Sequence, residues 1–497
     1  MLFGTYEFLL LFLPAVWVVY RVVPGGGRAR LVWLLVSSLV FYGYREPLHV
    51  ALLVGSAGVN YVLGRGFVGP ARAGSRAAVA LGIVLNLGAL AYFKYTGFAA
   101  AMANDLFGAG LSAPAVVMPL AISFFTFQQI AYLVDLHRGE ASSRNPLEYV
   151  VSVVFFPKLL SGPIVRDHEM DAGFAAANTR PGAREGARGI TLLAIGLFKK
   201  LLIADALAPT VSRVFSAAEK GQIPGAADAW LGALSYTMQL YFDFSGYVDM
   251  ALGLGLLFGF SLPLNFDSPY KATSPSDFWR RWHITLSRFL RDYLYIPLGG
   301  NRRGERRRTA NLMITMTLAG LWHGAGWTFV LWGAAHGAML AVNHLWSGLW
   351  RRLPGRAPGV AQALATRGAA RVLTFVAVVL AWVLFRAQTV GGAVAVWRGM
   401  LGFGGWGMTG APGWLAEGAH VWDLAIAPFH ALSGAYGSWA AIGVLMVVTM
   451  ALPNSNRIAA GLKPSVRHAV PVAAALLLAT WRILAQGSAT EFLYFDF

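Results

Sequence analysis

The 497-residue chain contains no cysteine. Thiol nucleophiles, disulfides and S-acyl-enzyme intermediates are therefore excluded. Charge is scarce as well: Asp, Glu, Lys and Arg make up 13% of the residues, against about 25% in a soluble domain. Acids are scarcest, 23 against 40 Lys and Arg. No histidine pair at i,i+4 and no cysteine cluster exists, so the zinc spacings are missing. Neither a fixed-period repeat nor a soluble domain is evident.

What is there is apolar. Hydrophobic residues reach 57% and the mean hydropathy is +0.56, which describes an all-α polytopic membrane protein. The net charge of +17 sits in short loops between apolar runs. That is the positive-inside pattern, and it argues against nucleic-acid binding. Residues 1–20 carry Glu7 and no basic leader, so they read as a first spanning helix and not as a cleaved signal.

Apolar spans are expected near 5–20, 31–44, 48–63, 77–98 and 115–134. Basic loops alternate with non-basic ones, which puts the N-terminus outside and the basic loops in the cytoplasm. Residues 147–165 are broken by Pro157, Gly162 and Pro163 and suggest a re-entrant element. Spans near 189–207 and 229–246 follow. Residues 247–264, Gly-rich and headed by Asp249, suggest a second re-entrant or buried helix. Spans near 311–325, 326–347 and 372–386 lead to a long external loop, 387–437. Spans near 438–452 and 469–486 precede an external tail. The total is about 11–13 spans, with re-entrant and amphipathic helices between them.

The densest chemistry lies from Lys271 to Arg308, where ten Lys and Arg stand against three acids. This stretch leads into a short apolar run ending Trp322-His323-Gly324. An ionisable side chain in such a setting is a functional candidate by default. The apolar surroundings favour the uncharged imidazole of His323, able to take a proton from a hydroxyl. From the residues alone, a general base and a hydrogen-bonded structural histidine are equal readings of His323. The small Gly320, Gly324, Ala325 and Gly326 tilt toward function by opening space beside the ring. His283, after Arg280, Arg281 and Trp282, reads more simply as an interfacial histidine anchored by Trp279 and Trp282. Arg280, Arg281, Arg288 and Arg291 suit anionic lipid or the phosphates of a nucleotide-bearing acyl donor. His336 and His344 share one helical face, with His336 a weaker second candidate and His344 a packing residue. Asp243 and Asp249 read as structural ion-pair partners, and Gln128 and Gln129 as inter-helix hydrogen-bonding residues.

Arg280-Arg-Trp-His-Ile-Thr-Leu-Ser287 and Gly320-Leu-Trp-His-Gly324 resemble the two histidine motifs of the membrane-bound O-acyltransferase (MBOAT) family, in its alginate O-acetyltransferase-like branch. The stretches at 119–128, 155–158 with 162–166, 241–247, 265–270, 293–302 and 332–337 resemble further motifs in the same order. So does the aromatic tail 492–497. Ala121 replaces the branch's usual Gly, and Thr285 its usual Ser. The resemblance implies a catalytic core at 119–347, between N-terminal helices at 1–118 and C-terminal helices at 348–497. It implies a ring of tilted helices around a thin centre with a funnel from each side. It makes His323 the catalytic histidine and His283 the second active-site histidine. Arg280, Arg281, Trp282 and Arg288 would lie on the donor side, with no metal. The implied activity is O-acetylation of an exported polysaccharide from the bacterial inner membrane. Acetyl-CoA would be the donor, membrane lipids the surroundings, and a periplasmic Ser-His-Asp (SGNH-type) acetyltransferase the partner. Peptidoglycan acetylation and D-alanylation of teichoic acid are alternatives within the family. A proton-coupled transporter using the same histidines as a relay is the alternative from another class, although inverted repeats are not evident.

Overall fold

A computed structural model describes residues 1–24, 26–45, 47–69, 74–112, 114, 116–141, 144–179, 181–351, 360–406, 434–486 and 492–493. The regular structure among them is entirely helical. Most of the external loop expected at 387–437, the last four residues of the aromatic tail, and Arg352 and Arg356 of an inner basic loop lie outside the described residues.

Among the described residues, four helices are long and apolar enough to cross a membrane: Pro47–Phe67, Ser75–Phe107, Thr366–Arg386 and Val466–Ala485. A fifth arises only if two shorter helices with a break between them are taken as one span. This is fewer than the 11–13 apolar stretches in the sequence, for two reasons. Several helices are short, such as Ile122–Arg138 and Ala183–Phe198. Gly304–His323 opens on Glu305, Arg306, Arg307 and Arg308. Such helices meet the length and hydropathy of a simple span only in part.

The chain folds into two compact units, each discontinuous. One comprises Met1–Leu202, Phe244–Asn265 and Ser455–Phe497. Here the proline-broken segment forms Pro146–Val154 and Phe156–Leu159, interrupted at Phe155, in keeping with the expected irregular element. The buried Lys158 donates to Gln128 Oε1 at 2.6 Å, and Gln128 Nε2 donates to the Ser152 carbonyl at 2.8 Å. Gln129 Oε1 accepts from Asn60 at 2.5 Å and from Ser56 at 3.2 Å, and Asn86 donates to Asn60 Oδ1 at 2.7 Å. The Asn60, Asn86 and Gln129 amides knit three helices together, which is the usual work of polar groups within a membrane.

Residues 247–257 are buried helix, one of the two forms expected, but not as a separate element. Ala226–Leu257 is one helix of 32 residues. Two features let it run on. The Asp249 carboxylate is neutralised by Lys199 at 2.6 Å and accepts from Ser455 Oγ at 2.6 Å. Gly246 and Gly253 lie against Gly196 and Gly189, so closely that a Cβ on any of the four would fall within 3 Å of a backbone oxygen.

The other unit comprises Ile203–Asp243 and Phe266–Asn454. Within the expected external loop stands a helix, Val390–Met400. Thr389 caps it by accepting from the Gly392 N–H at 2.9 Å. The Glu219 carboxylate takes the N–H groups of Gln388 and Thr389 and the Thr389 hydroxyl. A threonine cap backed by a distant carboxylate satisfies donors that helix starts leave open, and the distant half of that arrangement is invisible in local sequence.

Candidate active site

The second unit holds His283, His323 and His336, all buried. His283 arrives by way of helix Pro275–Arg281. Ser274 caps that helix, accepting from the Asp277 N–H at 3.1 Å, and Pro275 sits in its first turn. The Asp277 carboxylate accepts from the Thr273 N–H at 3.2 Å and from Arg281 Nε at 2.9 Å. The helix stops at Trp282, which is extended, and His283 adopts φ +44° and ψ +53° before the next helix, Ile284–Leu290. A bulky residue in the left-handed region costs about 1–3 kcal/mol and persists only where its surroundings hold it. The reversal turns the imidazole inward, with no exposed surface. His283 lies outside the helices that are long and apolar enough to cross a membrane, and burial lowers its pKa to about 3.

His323 ends helix Gly304–His323, where Gly324 leaves helical geometry. The next helix, Trp327–Arg351, returns in close contact. A Cβ on Gly320 would lie 2.1 Å from the Phe329 carbonyl oxygen, and one on Gly333 would lie 2.2 Å from that of Met316. Only glycine at both positions permits this approach.

The geometry at the meeting point is compact. The His283 and His323 ring centroids are 6.4 Å apart, with planes at 57°. Trp322 lies 6.3 Å from His283 and 4.9 Å from His323. Trp332 and Phe385 meet His323 edge-on at 5.1 and 5.2 Å. Trp332 also stacks on Trp382 at 5.6 Å. Imidazoles thus share an aromatic, low-polarity enclosure, where electrostatic interactions are stronger than in water.

Not every candidate converges here. Arg280 points to the exterior. Arg281 is half-buried and held by Asp277 and by the Asp267 carbonyl at 3.2 Å. Trp282 is buried among Phe266, Tyr270, Phe278 and Trp382. Arg288 is half-buried on the following helix. The four thus differ in exposure, and they are spread over the end of one helix and the body of the next. His344 is half-buried on the helix that carries His336. Asp243 is buried, and Asp249 is committed to Lys199 in the other unit. No group of three or more His, Asp or Glu side chains among the described residues could hold a metal ion.

Sequence reasoning missed the walls of the site. Trp382 and Phe385 lie on a helix that reads from the sequence only as an apolar span near 372–386. Their i,i+3 spacing puts two large rings on one face, and that was the available signal.

The MBOAT sequence profile, for the membrane-bound O-acyltransferase family, matches residues 138–384, a stretch that includes all three buried imidazoles. The chain is 39% identical over 435 residues to a peptidoglycan O-acetyltransferase of Helicobacter pylori, covering 82% of this chain and 80% of that one. It is 40% identical over 414 residues to a probable alginate O-acetylase of Azotobacter vinelandii, covering 82% and 79%. A teichoic acid D-alanyltransferase of Streptococcus thermophilus is more distant, 27% identical over 240 residues, covering 46% and 57%. Identity of this order across four-fifths of both chains, together with the profile match, makes this multi-pass membrane protein an O-acyltransferase that belongs to the membrane-bound O-acyltransferase family.

Proposed function

We propose that the chain moves an acetyl group from cytoplasmic acetyl-CoA across the bacterial inner membrane for O-acetylation of an exported polysaccharide. The observation that carries this reading is the meeting of His283 and His323, 6.4 Å apart in an aromatic enclosure. His323 is the general base: a ring nitrogen takes the acceptor hydroxyl's proton as the oxygen attacks the thioester carbon. The C–O bond forms, the C–S bond breaks, and the CoA thiolate leaves and is protonated. In a two-step variant His323 first carries the acetyl group on nitrogen and then passes it to the hydroxyl. His283 polarises the thioester carbonyl or holds His323. A general base at such a step contributes ~10²–10⁴-fold in rate. Arg280, Arg281, Trp282 and Arg288 form the donor side. In this scheme Arg280, exposed, and Arg288, half-buried, are the two that can meet phosphate, and Trp282 supports them from the core. A periplasmic SGNH-type acetyltransferase hands the group to the polymer.

The relatives favour two acceptors about equally, since one named for alginate and one named for peptidoglycan share 40% and 39% identity with the chain. Peptidoglycan is therefore the second reading. Radiolabelled acetyl-CoA supplied to the cytoplasmic face of vesicles decides between them. Base-labile label on exported polysaccharide supports the proposal. Label on muropeptides moves the acceptor to peptidoglycan. Label on neither, with D-alanine transferred instead, refutes both.

A further inference from the structure

The third buried imidazole, His336, has no place in the chemistry described above. It is 1% exposed, on helix Trp327–Arg351. The indole Nε1–H of Trp279 donates to its Nδ1 at 3.2 Å. Phe278 stacks on its ring at 6.1 Å with planes 15° apart. Trp332, one turn earlier, lies 4.8 Å from His336 and 5.1 Å from His323. Trp279 itself meets Trp332 at 5.9 Å.

These contacts share one consequence. Trp279 is on the short helix that delivers His283, four residues later. Trp332 is on the helix that follows His323 and forms part of its wall. The Nδ1 lone pair of His336 is the polar link between the two. Accepting there places the neutral ring's proton on Nε2; the opposite tautomer would set N–H against N–H. Nε2 has no hydrogen-bond partner among the described residues. A buried polar atom left so costs stability, and a phenyl ring filling the same space would avoid that cost. The imidazole therefore makes sense for what its other nitrogen holds.

We propose that His336 is a positioning residue of the transfer reaction: by fixing the Trp279 indole it sets, through Trp279 and Trp332, where His283 stands relative to His323. The left-handed backbone at His283, φ +44°, needs such an external hold, because it is not a conformation the segment prefers. The inference rests on His283 and His323 being the reacting pair.

The test uses membranes carrying the full chain, matched for protein level, with radiolabelled acetyl-CoA as donor and its concentration varied. Asparagine places its side-chain oxygen where Nδ1 stands, whereas glutamine reaches toward Nε2. His336→Gln and Trp279→Phe are expected to lower the maximal rate about 10- to 100-fold, the effect of a displacement of about 1 Å. KM for acetyl-CoA should stay within about twofold. His336→Asn should retain the rate to within about threefold, and combining His336→Gln with Trp279→Phe should add nothing to either alone. Equal activity or equal inactivity of the Asn and Gln variants, or additive losses in the double variant, overturns the inference. His323→Ala, run in parallel, separates the two levels. Full activity there refutes the catalytic reading. An inactive His323→Ala beside fully active His336→Gln and Trp279→Phe refutes only the positioning role.

Discussion

Gly320→Ala is the sharpest structural perturbation of the site that touches no imidazole. The added Cβ would sit 2.1 Å from the Phe329 carbonyl oxygen and 2.9 Å from the Gly333 nitrogen, whereas ordinary contact begins at 3.4 Å. Both obstacles are backbone, so no side chain can swing aside. Helices Gly304–His323 and Trp327–Arg351 must separate by more than an ångström or shear by a similar amount. Overpacking of this kind costs about 1–3 kcal/mol. His323 is three residues from the wedge and Trp332 adjoins Gly333, so their 5.1 Å contact moves with it. A displacement of about 1 Å costs a reaction ~10²-fold. Initial rates of acetyl transfer in membranes, with unfolding midpoints of the detergent-purified protein, read both effects. Gly348→Ala is the control on the second helix, because nothing lies within 4 Å of its Cβ. Wild-type rate and midpoint in Gly320→Ala would refute the close-packed helix pair as the frame of the site.

Gly333→Ala should behave in the same way, since its Cβ would meet the Met316 carbonyl oxygen at 2.2 Å; a loss much smaller than in Gly320→Ala would show that the pair does not act as one contact. His283 titrates near 3 by burial, against 6.5 when exposed, so the unfolded chain binds the extra proton between those values. Its contribution to stability is complete above pH 6.5 and fades as pH falls toward 3; His283→Gln should flatten midpoint against pH across that window, and an unchanged slope would contradict the burial. Asp249→Ala leaves Lys199 without its carboxylate at 2.6 Å and should cost about 3–5 kcal/mol. Lys199→Met in the same chain should recover most of that loss, whereas additive losses would show the two are not coupled.

Much of the site was legible in the sequence because its histidines sit in short motifs with local chemistry. Trp322-His323-Gly324 puts a ring at a helix end, and Arg280 to His283 announces an amphipathic piece before a turn. What could not be read locally depends on distant partners. Asp249 appeared to interrupt a helix because Lys199, fifty residues earlier, was not known to neutralise it. Val390–Met400 appeared to be loop because Glu219, which holds its start, is far away in sequence. Trp382 and Phe385 lie in what reads only as an apolar span near 372–386, because periodicity alone does not distinguish a ring that meets lipid from one that meets His323. Trp282 shows the reverse error of scale: beside two arginines it reads as an interfacial anchor, yet the extended backbone at the helix end turns it into the core.

The most direct measurement is the rate at which label passes from acetyl-CoA to the acceptor in membranes carrying His323→Ala, matched for protein level against the wild type. Removal of the base should lower that rate ~10²–10⁴-fold while the protein stays folded in the membrane. An undiminished rate would remove His323 from the chemistry, and with it the reading of the paired imidazoles as the centre where acyl transfer takes place.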